Sequence, residues 1–203
     1  MLLRVENPSP TVVLAAVSSR GLLLQHVQNQ TPEICWAAIC KAPEAIQFVI
    51  DRSVDQEVES VSRMPDALTC IAHPADATVY VALTRDPTTL RHLQVQESRF
   101  CTFAVRRDPA ALKFVREKTA ALAATAIERN PMTLEFVPPE LQSEAICQRA
   151  AELDPLSAEH IHDEALKDQL LTQLTSTTSD QSRIKALIRD NPEARVLYLH
   201  AEQ

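Results

Sequence analysis

The chain has 203 residues, of which 20 are basic and 27 are acidic, so its formal charge at neutral pH is −7. Its composition, 45% apolar and 23% charged, is that of an ordinary folded protein and argues against a disordered chain. A single glycine, Gly21, excludes glycine-rich phosphate loops and dinucleotide fingerprints, because those turns require residues without a Cβ atom.

Proline recurs at a fixed spacing of 22 residues through most of the chain, which indicates a tandem repeat. Gly21 lies one period before the first of these prolines, and Pro155 and Pro192 continue the series at longer spacings. The prolines at the regular spacing are Pro43, Pro65, Pro87, Pro109 and Pro131. When the chain is aligned on this marker position, it contains eight copies of the repeat.

Fixed positions around the marker carry the same class of residue in nearly every copy. Six copies have Leu or Ile three residues after the marker, and seven have Val, Ile or Leu six residues after it. A small residue recurs five residues before the marker, where we expect helices to approach closely. The small residues are Ala16, Ala38, Ser60, Ala82, Ala104, Ala126 and Ala150.

Each copy predicts two short helices. The first begins after a capping residue and runs for about ten residues. It ends before the marker, because the residue that precedes a proline is displaced from the α region. A second short helix begins at the marker, and its apolar positions share one face. The residues twelve before the marker are Ser9, Thr31, Ser53, Ala75, Glu97, Thr119, Ser143 and Asp180, and all of them except Ala75 and Glu97 are good N-cap residues.

Neither helix is long enough to be stable alone in water, so the copies must stack on one another. We therefore predict an all-α protein, an α-solenoid of tandem 22-residue helix–turn–helix repeats that forms a single domain. Residues 1–8 would be the end of a further copy, 9–162 seven repeats, and 163–203 an insertion with a divergent capping repeat. Within the insertion we predict a helix through Leu174 and then a polar Ser/Thr loop.

Two segments, PTVVLAAVSSRGLLLQHV (10–27) and TPEICWAAICKAPEAIQFV (31–49), resemble the repeats of a bacterial family catalogued as domain of unknown function 4116. The units of that family follow the pattern TPE-x-x-LAAV-x-x-NG-x-AL-x-YV. Proline replaces the Asn-Gly turn here in most copies, so we expect a different turn between the helices. The resemblance implies helical repeats and an interaction scaffold without catalytic residues. It also implies a bacterial or phage protein, an effector or inhibitor that acts on a host or rival-system factor.

The cysteines predict core packing and a reducing compartment. Three of them, Cys35, Cys101 and Cys147, lie eight residues before the marker, the position of Val13, Val79, Ala123 and Ile184 in other copies. Cys70 takes a position that phenylalanine holds in other copies. No apolar run suits a membrane span or a secretory signal. We therefore expect a cytoplasmic protein, or one delivered into a host cytoplasm, with no membrane contact.

The segment that contains His160 and His162 raises the alternative of a metal site. On a helix, these two rings would point about 200° apart, so they converge only if the helix ends there. His160 shares its position with His26, His92 and several phenylalanines, which favours packing of flat rings. We therefore predict no metal, and the alternative stays open.

The sequence contains no nucleophile elbow and no zinc-protease motif. Its paired carboxylates, Glu57 and Glu59, lie two residues apart and would face different directions on a helix. We therefore predict no catalytic residue and no cofactor. An enzyme with a composite site, gathered from distant copies, stays an alternative.

A basic residue lies two residues before the marker in five successive copies. In a solenoid these side chains would form one ladder, with steps of about 10 Å. They are Lys41, Arg63, Arg85, Arg107 and Arg129. One interpretation is that they complement the dipole at the end of each first helix. The other is that they form a binding edge for an acidic partner or a nucleic-acid backbone.

Trp36 and Tyr80 share the position seven residues before the marker, and this position becomes polar in later copies, at Thr102 and Gln148. The two aromatic residues are either packing residues at the rim of the core or anchors for a partner. We predict that the protein is a non-enzymatic scaffold that binds another protein. The first alternative is nucleic-acid or phosphate binding along the basic ladder, with an affinity that falls steeply with salt.

Overall fold

The computed structural model describes residues 8–177, and in this range an α-helix followed by a short 3-10 helix is repeated seven times, without any strand. The prediction of an all-α helical-repeat solenoid is therefore confirmed. The α-helices are α1 (Pro10–Ser19), α2 (Pro32–Lys41), α3 (Val54–Arg63), α4 (Asp76–Arg85), α5 (Ser98–Arg107), α6 (Ala120–Ile127), α7 (Glu144–Leu153) and α8 (Glu164–Thr177). The 3-10 helices that follow α1 to α7 are Gly21–His26, Pro43–Phe48, Pro65–Cys70, Pro87–His92, Pro109–Phe114, Pro131–Phe136 and Pro155–His160.

The predicted helix starts are confirmed for α1 to α7, each of which begins directly after its expected cap. Four of these caps accept a hydrogen bond from the backbone amide three residues later, which satisfies one free donor of the first turn. The four are Thr31, Ser53, Thr119 and Ser143. Ser53 also forms a reciprocal capping box with Gln56. The predicted cap Asp180 lies outside the described residues.

The second helix of each repeat is a 3-10 helix. The residue before its proline is extended, as Ala42 is with φ −144° and ψ 102°, which is the conformation expected before proline. Its hydrogen bonds join residues three apart, such as the Val49 amide and the Ile46 carbonyl at 3.2 Å. Because this helix has about three residues per turn, side chains three apart lie above one another. This geometry explains why the apolar positions follow the marker at intervals of three.

The core includes the apolar positions of the 3-10 helices and both the small and the apolar inward positions of the α-helices, such as Ile39 and Leu83. Full burial of a Leu or Ile side chain stabilises the fold by about 1.5–3 kcal/mol. The side chains buried three residues after the marker are Leu24, Ile46, Leu68, Leu90, Leu112, Leu134 and Ala158. The buried small residues are Ala38, Ser60, Ala82, Ala104, Ala126 and Ala150, whereas Ala16 in the first copy is half-buried.

Gly21 allows the first repeat to approach the second closely. A Cβ atom at this position would lie 2.3 Å from the Ala38 carbonyl oxygen and 2.8 Å from the Ala42 Cβ. The first distance is far below van der Waals contact, and the carbonyl belongs to the backbone of α2. The glycine is therefore required by packing.

Residue contacts divide the chain into two compact units, with the boundary between Phe103 and Ala104, inside α5. Below, unit 1 denotes the described residues up to Phe103 and unit 2 those from Ala104. In unit 1, α2 packs between α1 and α3, and α3 packs on α4. In unit 2, α7 packs between α6 and α8.

The C-terminal part of the described chain departs from the regular repeat, as predicted. An additional short 3-10 turn, Pro139–Leu141, accommodates extra residues before α7. The predicted insertion helix is α8, which continues to Thr177 rather than ending at Leu174, and Leu170 is buried. The rest of the polar loop, the capping repeat and residues 1–7 lie outside the described residues. None of the described helices has the length and apolar character that a membrane span requires.

Candidate protein-binding surface

Glutamine side chains fix the loops between successive repeats. Gln30 donates from Nε2 to the carbonyls of Val27, at 3.3 Å, and Phe48, at 2.8 Å, while its Oε1 accepts from the Ile50 amide at 3.1 Å. Gln142 lies at the equivalent position in unit 2 and bonds two carbonyls and one amide in the same way. One side chain thereby satisfies three backbone groups at the ends of two adjacent 3-10 helices.

Glu57 performs a related role between the third and fourth repeats. Its side chain is only 7% exposed, and Arg52 pairs with its Oε1 at 2.8 Å. Its Oε2 accepts from the Ala75 amide at 3.0 Å and from the Thr78 hydroxyl at 2.9 Å. The carboxylate thus caps the start of α4, where Ala75 has no side chain that can do so. Glu57 occupies the position of the buried cysteines in other copies, so comparison of the copies predicts an apolar residue there.

A cavity of about 590 Å³ opens between the first two inter-repeat loops of unit 1. The Gln30 side chain holds both loops, and half-buried Trp36 forms part of the wall. Ile50 stands at the cavity with 67% of its surface exposed. The principal lining residues are Gln30, Cys35, Trp36, Val49, Ile50 and Asp51. An apolar side chain of a partner would find both contact area and room here.

A second cavity, of about 240 Å³, lies at the equivalent position two repeats later. Val95, which is 74% exposed, and Phe100 line it. Tyr80, the counterpart of Trp36, packs edge-to-face on Phe100, with ring centroids 5.2 Å apart, and on Phe103, at 5.1 Å. Trp36 therefore lines its cavity directly, whereas Tyr80 supports the wall of the second cavity.

The outer face of the α-helices differs between the two units. In unit 1 it carries a helix face of half-buried apolar residues: Leu14, Trp36, Ala37, Val58, Tyr80, Val81 and Phe103. In unit 2 the corresponding positions carry Ala124, Thr125, Gln148 and Arg149. Arg149 makes two hydrogen bonds to Glu128, at 2.7 and 2.9 Å. This ion pair keeps the pKa of the Glu128 carboxyl below its ordinary value. The described chain therefore offers its apolar helix surface in unit 1.

The predicted basic residues are all exposed, at the ends of the α-helices. Lys41, Arg63 and Arg85 close α2, α3 and α4 in unit 1, and Arg107 closes α5. Arg129 differs from the prediction, because α6 ends at Ile127 and Arg129 lies in the turn that follows. The helix-dipole interpretation therefore suits four of the five residues.

Acidic groups lie beside several of these basic residues. Arg63 bonds the Glu59 carboxylate one turn earlier in α3. The Asp86 side chain, next to Arg85, caps the following 3-10 helix by accepting from the Thr88 amide at 2.8 Å. The positive charge along this edge is consequently reduced. The structure also separates Glu57 from Glu59, since each pairs with a different arginine.

The opposite edge of unit 1 is acidic. We define the loop edge as residues 27–33, 49–55, 71–77 and 93–99, which include the inter-repeat loops and the first turns of the α-helices. It contains five acidic and two basic side chains, a balance of 2 − 5 = −3. The acidic residues, all exposed, are Glu33, Asp51, Asp55, Asp76 and Glu97. Both arginines of the edge are paired, Arg52 with Glu57 and Arg99 with Asp76 and Glu97.

The thiols have the burial expected from the sequence. Cys35, Cys101 and Cys147 are buried, Cys70 is half-buried, and Cys40 is exposed, and none forms a disulfide. Burial raises the pKa of the Cys35 thiol and of the Cys147 thiol above the ordinary value, because desolvation penalises the thiolate. These two groups are therefore protonated and poorly nucleophilic near neutral pH.

Three histidines of the described residues take part in local hydrogen bonds. His92 is half-buried, and its Nε2 lies 3.1 Å from an Asp66 carboxylate oxygen. The backbone groups of His160 and His162 are held by Gln142. Within residues 8–177, no group of three or more histidine, cysteine, aspartate or glutamate side chains is placed to bind a metal ion.

No family model matches this chain, and neither a curated protein nor a solved structure shows significant similarity to it.

Proposed function

We propose that this protein is a non-enzymatic helical-repeat scaffold that binds another protein through unit 1. The observation that carries the proposal is the cavity of about 590 Å³ at the junction of the loop edge and the helix face. Trp36 belongs to the helix face and lines the cavity, and large aromatic residues beside such depressions are the usual anchors of protein interfaces. The ordered loops on either side favour binding, because they lose little conformational entropy.

The contrast between the units supports unit 1 as the binding part. Its helix face and loop edge combine apolar side chains with charges, as protein interfaces do. On the helix face of unit 2, side chains such as Arg149 and Glu128 already pair with one another. An interface there would have to replace these contacts.

Nucleic-acid binding is the weaker candidate. A phosphate backbone requires a continuous positive surface, because the release of counterions supplies most of the affinity. In unit 1, Arg63 is paired with Glu59, and Asp86 adjoins Arg85. The formal charge of the whole chain is also −7.

Affinity capture with a matched pair of variants tests the proposal. The tagged protein, Trp36→Ala and Met132→Ala would each be incubated with extract from the cells that produce the protein. Met132 is an exposed apolar residue of unit 2 and belongs to neither the helix face nor the loop edge of unit 1. We expect a specific protein to be retained by the wild type and by Met132→Ala.

Trp36→Ala should retain less of that protein by a factor of about ten or more, because it loses an interface anchor. Circular dichroism and thermal unfolding would verify that both variants are folded. Equal retention by Trp36→Ala and Met132→Ala, or no retained protein at all, would contradict the proposal.

A further inference from the structure

We propose that the loop edge of unit 1 binds an extended, Lys/Arg-containing segment of a partner protein, which inserts one large apolar side chain into each of the two cavities. This inference rests on the proposed function and specifies the chemistry of the partner. Its basis is the repetition of the same cavity along one edge, together with the charge of that edge.

The two cavities occupy equivalent positions. Ile50 and Val49 line the first, and Gln94 and Leu93 take their places in the second, 44 residues or two repeats later. Packed helices lie about 8–10 Å apart, so two repeats separate the cavities by about 16–20 Å. An extended chain advances about 3.3 Å per residue, which places the two apolar anchors about five or six residues apart.

The intervening repeat has a polar network at the corresponding place. Arg52 stands where the first cavity has Gln30, and Glu57 where it has Cys35. Their ion pair, with the Thr78 hydroxyl bonded to Glu57, occupies the space between the loops. The middle of the bound segment is therefore expected to be polar, with apolar residues only near its two ends.

Charge determines the class of segment. The loop edge has a balance of 2 − 5 = −3, and its acidic side chains are exposed. Asp51 lines the first cavity, while Asp76 and Glu97, which both pair with Arg99, line the second. A lysine or arginine beside the first anchor would therefore lie close to the Asp51 carboxylate, and one beside the second anchor would share Asp76 and Glu97 with Arg99. Such complementarity raises the association rate and discriminates against acidic segments.

The edge suits an extended segment better than a helix. Gln28 and Asn29 present exposed amide side chains at the first cavity. An extended backbone has unpaired N–H and C=O groups that such amides can bond, whereas a helical backbone satisfies its own. A helix would also require the anchors to be about eleven to thirteen residues apart, given its rise of about 1.5 Å per residue.

A random peptide display library, panned on the full-length protein, tests the inference without knowledge of the natural partner. We expect enrichment of peptides with two large apolar residues about five or six positions apart and with Lys or Arg beside them. Trp36 is the sole tryptophan, so its fluorescence should change on titration with an enriched peptide.

Variants of the edge provide the controls. Ile50→Ser and Val95→Ser should each lower the affinity for an enriched peptide by a factor of about ten or more. Asp51→Lys combined with Asp55→Lys should lower it to the same extent at low salt. Leu22→Ser is the matched control, because Leu22 is an exposed apolar residue, 45% exposed, that lines neither cavity. Thermal unfolding would verify the fold of every variant.

Three results would overturn the inference: no enrichment, enrichment of peptides without basic residues, or an anchor spacing typical of a helix. If any of these occurs while Trp36→Ala still loses a captured protein, the scaffold function stands and only the class of partner is wrong. If the capture is independent of Trp36, the proposed function itself fails.

Discussion

The Glu57 carboxylate accepts a hydrogen bond from the Thr78 hydroxyl at 2.9 Å and thereby joins the third repeat to the fourth. Thr78 is fully buried, so the hydroxyl has no access to bulk water as an alternative partner. In a protein whose repeats contact mainly their neighbours, such a bond contributes directly to the stability of one interface.

We expect Glu57→Ala to lower the free energy of unfolding by about 1–3 kcal/mol, because it leaves the Thr78 hydroxyl and the Ala75 amide without their acceptor. Chemical denaturation measures the change. Glu59→Ala is the control, since its ion pair with Arg63 is exposed to solvent and should contribute little. An equal effect of the two substitutions would contradict the role assigned to Glu57.

Gly21→Ala tests the close approach of the first two repeats. The added Cβ would meet the Ala38 carbonyl oxygen at 2.3 Å, so the 3-10 helix Gly21–His26 and α2 must move apart. Overpacking of this kind costs about 1–3 kcal/mol, which thermal unfolding would detect. Ser19→Ala, at an exposed position two residues earlier, should leave the midpoint nearly unchanged. A stabilised Gly21→Ala variant would show that the helices separate easily.

Gln30→Ala should loosen the loops around the first cavity while the repeat stays folded. The Ile50 amide loses its acceptor, and two carbonyls lose their donor. Hydrogen exchange measured by NMR should therefore show faster exchange of the Ile50 amide. The Val49 amide, which bonds the Ile46 carbonyl within the 3-10 helix, is the internal reference. Unchanged exchange at Ile50 would mean that Gln30 does not order the loop.

The thiols should differ in reactivity. Iodoacetamide near neutral pH is expected to modify exposed Cys40 first, while Cys35 and Cys147 resist, since burial keeps them protonated. Peptide mapping by mass spectrometry would identify the order. Rapid modification of Cys35 in the folded protein would contradict its buried position.

The same pKa shifts predict a dependence of stability on pH. The folded state holds the protons of Cys35 and Cys147 more tightly than the unfolded state does, because desolvation raises both pKa values. The free energy of unfolding should therefore fall as the pH rises above the pKa of an unfolded thiol, about 8.5. Replacement of both cysteines by alanine should make this fall less steep. An unchanged slope would show that the thiols do not contribute.

The helix starts and the core were predictable because they depend on local chemistry. Thr31 and Ser53 are capping residues, Pro32 sets the first helical turn, and Leu24 and Ile46 recur at fixed offsets. The spacing of three residues between apolar positions already contained the signal for a 3-10 helix. The sequence pattern predicts only a second short helix there, without its 3-10 type.

The proposed binding surface is predictable only in part. The sequence indicates Trp36 because Tyr80 holds the same position two repeats later, and the structure shows that both side chains are half-buried. The cavity beside it depends on two loops that meet through Gln30, and this glutamine has Arg52 as its counterpart in the next repeat. Comparison of the copies reveals residues that stay the same from copy to copy. It does not reveal Gln30 and Arg52, which differ in type although each helps to hold successive loops together.

The clamp formed by Gln30 reaches only from one repeat to the next. If the gene gained or lost one complete repeat, the packing inside every other repeat would therefore be preserved. New contacts would be needed only where the newly adjacent repeats meet. Such changes would alter how many cavities lie along the edge. Under the proposed binding of an extended segment, the length of that segment would then change in steps, separately from the stability of the fold.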